Sequence, residues 1–139
     1  MENSCQVRVG RLMEIRILTG FLSEADVDAQ IARVKSAMAA IPAETRVVIA
    51  ADWRRVQVMS EAVAARAVNL LTTTSDRIER SGILAMPDSP TALMQFFRLV
   101  RESEHPRRKV VTSIEELEAW ILPLLTPPEI KRLVEFLHE

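Results

Sequence analysis

Arg46-Val-Val-Ile-Ala-Ala-Asp52 is the stretch on which the fold turns. Its apolar run, Val47 to Ala51, begins with three β-branched residues and shows no polar alternation. That is the pattern of a short strand buried on both faces, as in a parallel sheet covered by helices. The flanking segments agree. On the N-terminal side, Val27, Ile31, Val34, Met38 and Ile41 recur at steps of three and four, one face of a helix. Ser23 caps that helix ahead of the acidic Glu24 and Asp26, and Pro42 stops it. On the C-terminal side, Ser60 caps a second helix with Val63, Ala67, Leu70 and Leu71 turned inward.

The rest of the chain extends this alternation. Gln6-Val-Arg-Val9 and Met13-Glu-Ile-Arg-Ile17 have the period of two of half-buried strands, and Gly10-Arg11 between them suits a two-residue hairpin turn. Gly20 ends the second strand. Ser81 to Met86 is the next strand, and Asp88-Ser89-Pro90 starts a helix with Leu93, Phe96, Phe97 and Val100 on its apolar face. His105-Pro106 breaks that helix, and Lys109-Val-Val-Thr112 is the last strand. Ser113 with Glu116 predicts a capping box before Leu117, Trp120, Ile121 and Leu124. Thr126-Pro127-Pro128-Glu129 repeats the signature ahead of Ile130, Leu133, Phe136 and Leu137. The expected fold class is therefore α/β. It has a mixed sheet with an N-terminal hairpin followed by βαβ units, helices covering the sheet, and a single domain over residues 1–139.

Composition narrows the function classes. A chain of 139 residues with 48% hydrophobic and 27% charged residues can bury a full core without staples. The net charge of −1 offers nucleic acid or an anionic membrane no general attraction. Tyr is absent and aromatics make up 4%, too few for a base-stacking platform. Cys5 is the only cysteine, which excludes an intrachain disulfide and any multi-cysteine metal site. Glu2, Asn3, Gln6 and Arg8 interrupt any secretory signal, and no apolar run reaches the ~18 residues of a spanning helix, so a cytoplasmic protein is expected.

Catalytic chemistry is not visible. His105 sits beside Pro106 in a charged stretch and His138 near the end, and neither position suggests an oriented imidazole. Gly10, Gly20 and Gly82 form no phosphate loop, and Glu115, Glu116 and Glu118 read as an acidic first helical turn. No catalytic residue, cofactor or metal is expected. The segment beyond the decisive strand carries more. Asp52, Trp53, Arg54 and Arg55 lie where ligands bind open parallel sheets, outside the C-terminal strand ends. The helix starts at Ser60, Ser89 and Ser113 are expected to converge there with unpaired N–H groups. Arg54 and Arg55 then either line an anion pocket or are ordinary loop charges, one pairing with Asp52. Trp53 reads as an interface anchor and Trp120 as core, while Met59 and Met86 suit either core filling or an adaptable surface. Arg98, Arg101, His105, Arg107, Arg108 and Lys109, interleaved with Glu102 and Glu104, read as a solvated helix end and loop. The hairpin leaves an edge strand that Arg8, Glu14 and Arg16 are placed to protect, with homodimerisation as the alternative.

The order of elements and the segment Val47-Val-Ile-Ala-Ala-Asp-Trp-Arg-Arg-Val-Gln-Val-Met-Ser60 resemble the STAS fold of anti-sigma-factor antagonists and sulfate-transporter cytoplasmic domains. More closely, the chain resembles stand-alone bacterial STAS/SEC14-like proteins. In the antagonists the strand ends in Asp-Leu-Ser-Gly-Val, and a Phe-Ile-Asp-Ser-Ser helix start bears the phosphorylated serine. Asp52 and Val56 match this pattern, whereas Trp53, Arg54 and Arg55 replace Leu-Ser-Gly. Glu61 occupies the phosphoserine position, with Ser60 one residue earlier as an N-cap. The resemblance implies a regulatory module without catalysis that docks a protein partner through residues 52–61. Its alternative is a domain holding a small anion, nucleotide or lipid at the helix starts.

Overall fold

A computed structural model of the chain describes residues 2–73 and 75–139. The fold is α/β, with one five-stranded mixed sheet and five α-helices. Strands β1 (Ser4–Val9) and β2 (Leu12–Arg16) form the antiparallel hairpin. Gly10 takes φ +57° at its turn, a left-handed conformation in which any Cβ would be strained. The decisive stretch is β3 (Val47–Trp53), buried along its whole length. It pairs in parallel with β2 on one side and with β4 (Ile78–Ala85) on the other, and β5 (Arg108–Val111) extends the sheet in parallel.

The strand order is β1-β2-β3-β4-β5. Because the order never reverses, each right-handed crossover deposits its helix on the same face. Helices α1 (Glu24–Ala39), α2 (Glu61–Thr72) and α3 (Pro90–Glu102) accordingly share one core with Met13, Ile49, Trp53 and Ile83. The opposite face carries Leu12, Val48, Ala50 and Leu84, covered by α4 (Ile114–Ile121) and α5 (Pro127–His138).

The helix starts follow the sequence signatures with one exception. Ser23, Ser60, Ser89 and Ser113 each accept a backbone N–H from the residue three ahead. Ser23 and Asp26 close a capping box, but the one expected at Ser113 is incomplete because the Glu116 carboxylate accepts the Thr112 hydroxyl. At Thr126 the buried Glu129 takes the Thr126 N–H and hydroxyl on Oε1 and reaches the Arg11 N–H with Oε2, 2.7 Å away. One carboxylate thus caps α5 and fastens it to the hairpin turn.

Two expectations about faces need correction. Phe97 does not join the core: α3 buries Ala92, Phe96 and Leu99, and Phe97 remains 47% exposed. Nor do Glu14 and Arg16 guard an open edge. They project onto the α5 face, where Glu14 is buried against Arg132, leaving Gln6 and Arg8 as the exposed polar residues of edge strand β1. Trp120 is half-buried on the same face, donating its indole N–H to the Ser81 carbonyl at 2.9 Å beneath the Arg80 guanidinium.

Gly82 lets α4 approach the sheet. A Cβ there would stand 2.4 Å from Leu117 Cδ1 and 3.3 Å from the Trp120 ring. We expect Gly82→Ala to destabilise the protein by about 1–3 kcal/mol through overpacking, read as a lower urea midpoint with an unchanged slope.

Candidate functional site

The C-terminal end of β3 is where the sequence locates the site, and the structure divides its residues between two faces. Asp52 points to the α5 face and is buried. Its carboxylate accepts Arg54 Nε at 2.9 Å, Arg54 Nη2 at 3.0 Å and the Arg54 backbone N–H at 3.1 Å, and Arg16 Nε lies 3.7 Å away. Arg54 Nη2 also donates to the Leu137 carbonyl at 2.9 Å, and Arg16 donates to that of Phe136 while stacking 4.3 Å over the Phe136 ring. Both arginines therefore cap the C-terminal turn of α5, where the helix dipole is negative.

This arrangement settles the two readings of Arg54. The hydrogen bond to Asp52 raises the Arg54 pKa further above its ordinary value, so the guanidinium is held by its own neighbour. The adjoining recess, of about 410 Å³, is walled by Asp52 and Glu139 as well as by Arg16, Arg54 and Arg55. The two carboxylates offset two of the three guanidiniums, which weakens the field an anion would meet there. The helix starts do not converge there either: α2 and α3 begin on one face of the sheet and α4 on the other.

Trp53 is not an interface anchor. It is 2% exposed, the last residue of β3, and its ring makes edge-on contacts with Phe21 and Phe96 at 5.6 and 5.5 Å between centroids. The reason is register: Trp53 follows Ile49 and Ala51 on the α1–α3 face, where α3 closes over it. Met59 is buried in the same core. Ser60 is the N-cap of α2, accepting the Val63 N–H at 3.3 Å, and Ser89 does the same for the Ala92 N–H at 3.2 Å. Glu61 and Arg55 are exposed.

What the α1–α3 face does expose at this end is apolar. Val58 and Met86, on the loops leading into α2 and α3, stand open to solvent. On α3 itself Met94 is 70% and Phe97 47% exposed. Met94 and Phe97, the two on α3, line an open recess of about 550 Å³ with Glu61, Gln95, Arg98 and Arg101. The loops beneath are braced: Gln95 accepts the Met59 N–H and donates to the Met59 carbonyl, both at 2.8 Å, and Gln57 accepts the Asp88 N–H at 3.1 Å. Sequence reasoning missed Met94 and Gln95 and assigned Phe97 inward. The available signal was the apolar excess of α3, which carries Leu93, Met94, Phe96, Phe97, Leu99 and Val100, more than one helix face can bury.

The remaining chemical groups are settled by their surroundings. Burial pushes the Cys5 thiol up to about 12, which leaves it without thiolate at neutral pH. Among the described residues, no group of three or more His, Cys, Asp or Glu could hold a metal ion, and no helix is long and apolar enough to cross a membrane. His105 lies 2.9 Å through Nε2 from the Ser75 carbonyl, while Nδ1 accepts the Arg107 N–H, an arrangement that fits a neutral ring. Burial, with Arg108 and Arg107 nearby, lowers its pKa from 6.5 against the opposing bond to Ser75. Comparison with models of protein families, with curated proteins and with solved structures finds no match to this chain.

Two outcomes test this description. Asp52→Ala strands two arginines beside the α5 terminus and is expected to cost about 2–4 kcal/mol in chemical denaturation, part of it recovered when Arg54→Met is added. The His105 proton resonances are expected to titrate with a midpoint below 6.5. Stability then falls as the pH drops through 6.5, where the unfolded chain takes up the proton that the native ring resists.

Proposed function

We propose that the chain is a STAS-like regulatory module without catalysis of its own, docking a protein partner on the surface formed by the starts of α2 and α3. One observation carries this reading. Val58, Met86, Met94 and Phe97 are large apolar side chains left in solvent at one end of one face, above loops held in place by Gln57 and Gln95. Met94 and Phe97 line the open recess of α3, exposed apolar groups at a recess are how protein interfaces present themselves, and methionine adapts to the shape of what it meets. Arg101 on the rim, beside an Arg98 paired with Glu102 at 3.7 Å, fits a partner segment that carries a carboxylate beside its apolar anchors.

The STAS resemblance supports the same surface, because it aligns the regulatory serine of the antagonists with Glu61, a residue of this recess. The reading moves the contact from the 52–61 segment as a whole to its outer half, with α3 added. Trp53 and Met59 support that surface from within, Val58 and Ser60 lie on the segment leading to it, Glu61 lines it, and Asp52 faces away toward α5. Less supports the alternative of an anion at converging helix starts, since Arg54 is committed to Asp52 and α4 starts on the opposite face from α2 and α3.

The test uses a photo-crosslinking residue at position 94 and another at Lys131, an exposed position on α5. The partner is expected to crosslink from 94 and not from 131. Phe97→Asp is expected to weaken the complex by about 30-fold or more, with little change in thermal stability because the side chain is already half exposed. Unaltered affinity in Phe97→Asp, together with crosslinking from 131, would place docking elsewhere.

A further inference from the structure

We infer that Arg108 holds a small monovalent anion, of halide or formate size, in a cavity between the sheet and helices α1 and α2. The cavity measures about 30 Å³, the room of roughly one water molecule or one such ion. Its walls are mainly apolar, with Ile15, Val34, Ile49, Leu71 and Ile83 among them, and Gln30, Ser81 and Arg108 are the polar residues of its lining.

Arg108 is 7% exposed, and among the described residues it pairs with no carboxylate. Its hydrogen-bond partner is the Ser103 hydroxyl at 3.2 Å, itself turned to donate to the Val100 carbonyl at 2.7 Å. Burial lowers the Arg108 pKa to about 10, so the guanidinium is still charged at neutral pH. A buried cation without a counter-charge is costly, and proteins answer it with a partner or a bound ion.

The neighbouring groups do not remove the need. Ser103 is the C-cap of α3, so the negative end of that helix offsets part of the charge. Arg107 stands nearby and raises the positive potential again, enough for both arginines to disfavour protonation of His105. Gln30 is already engaged, donating to the Ser4 carbonyl and accepting from Arg33. Five N–H donors on the guanidinium exceed what one hydroxyl satisfies, and an anion beside it would complete them.

Trp53 lines the same cavity and supplies the readout. In Trp120→Phe the indole of Trp53 is the sole tryptophan, and at 2% exposure it is shielded from quenchers in bulk solvent. Bromide at constant ionic strength, with gluconate as the balancing anion, is expected to quench this fluorescence saturably. It is also expected to raise the melting temperature of the wild-type protein by about 5 °C at saturation. Arg108→Met replaces the buried charge by an apolar side chain that keeps the fold, and should abolish both effects. Bromide-soaked crystals should show an anomalous peak beside the guanidinium. The inference is overturned by an absence of saturable quenching and of the peak, or by equal responses in Arg108→Met. Stabilisation by octanoate but not by bromide or formate, again dependent on Arg108, would also overturn it in favour of a tailed carboxylate.

Discussion

A strand paired in parallel on both sides presents side chains above and below the sheet, and both sets must be covered. In this protein the crossovers can cover only one, because the strands are laid down in order and each connecting helix falls on the same side. The second face is left to chain that follows the last strand. Everything about α4 and α5 answers that requirement. Gly82 makes room for α4, and Glu129 ties the start of α5 to the hairpin turn. At the other end Glu14 holds Arg132 through two bonds of 2.8 Å, and Arg16 and Arg54 grip the final carbonyls. Polar groups fix the position of a helix whose apolar stripe supplies most of the favourable energy.

That use of charge decides what the C-terminal edge of the sheet can do. Of the two arginines that look most like an anion site, Arg54 is consumed, with Arg16, in holding a helix terminus. The strand order explains this as well. Ligand crevices in open α/β sheets form where the order reverses and helices diverge to opposite faces, and a sheet without reversal opens no such crevice. The surface left available is the one where α2 and α3 begin, and its character is apolar.

The architecture was legible because each element announces itself locally. Val47 to Ala51 fixes the central strand, the serine caps fix the helix starts, and Gly10 fixes the hairpin. The candidate site was half legible for an equally physical reason. Trp53 at a strand end has the composition of an anchor, but its side is set by the alternation Ile49, Ala51, Trp53, which points it under α3. Phe97 failed in the opposite sense: a hydrophobic residue beside Phe96 reads as core, and only the angle of 100° per residue separates the two. Arg54 and Asp52 two residues apart suggested their pairing, whereas the grip on Leu137, 83 residues away, left no trace in the local pattern. Arg108 was hidden within a run of basic residues, and nothing in that run distinguishes the one whose side chain turns inward.

The bonds that seat α5 also govern the order of assembly. Glu14 and Arg132 are 118 positions apart, as are Arg11 and Glu129. On a chain emerging from the ribosome, all five strands and the three crossover helices exist before those contacts are possible. Leu12, Val48, Ala50 and Leu84 then form a bare apolar plane on a sheet otherwise able to form. A chain halted at that length would present this plane to neighbours or to chaperones. Its closure awaits a helix synthesised more than a hundred residues after the strand it covers, a contact of high sequence separation.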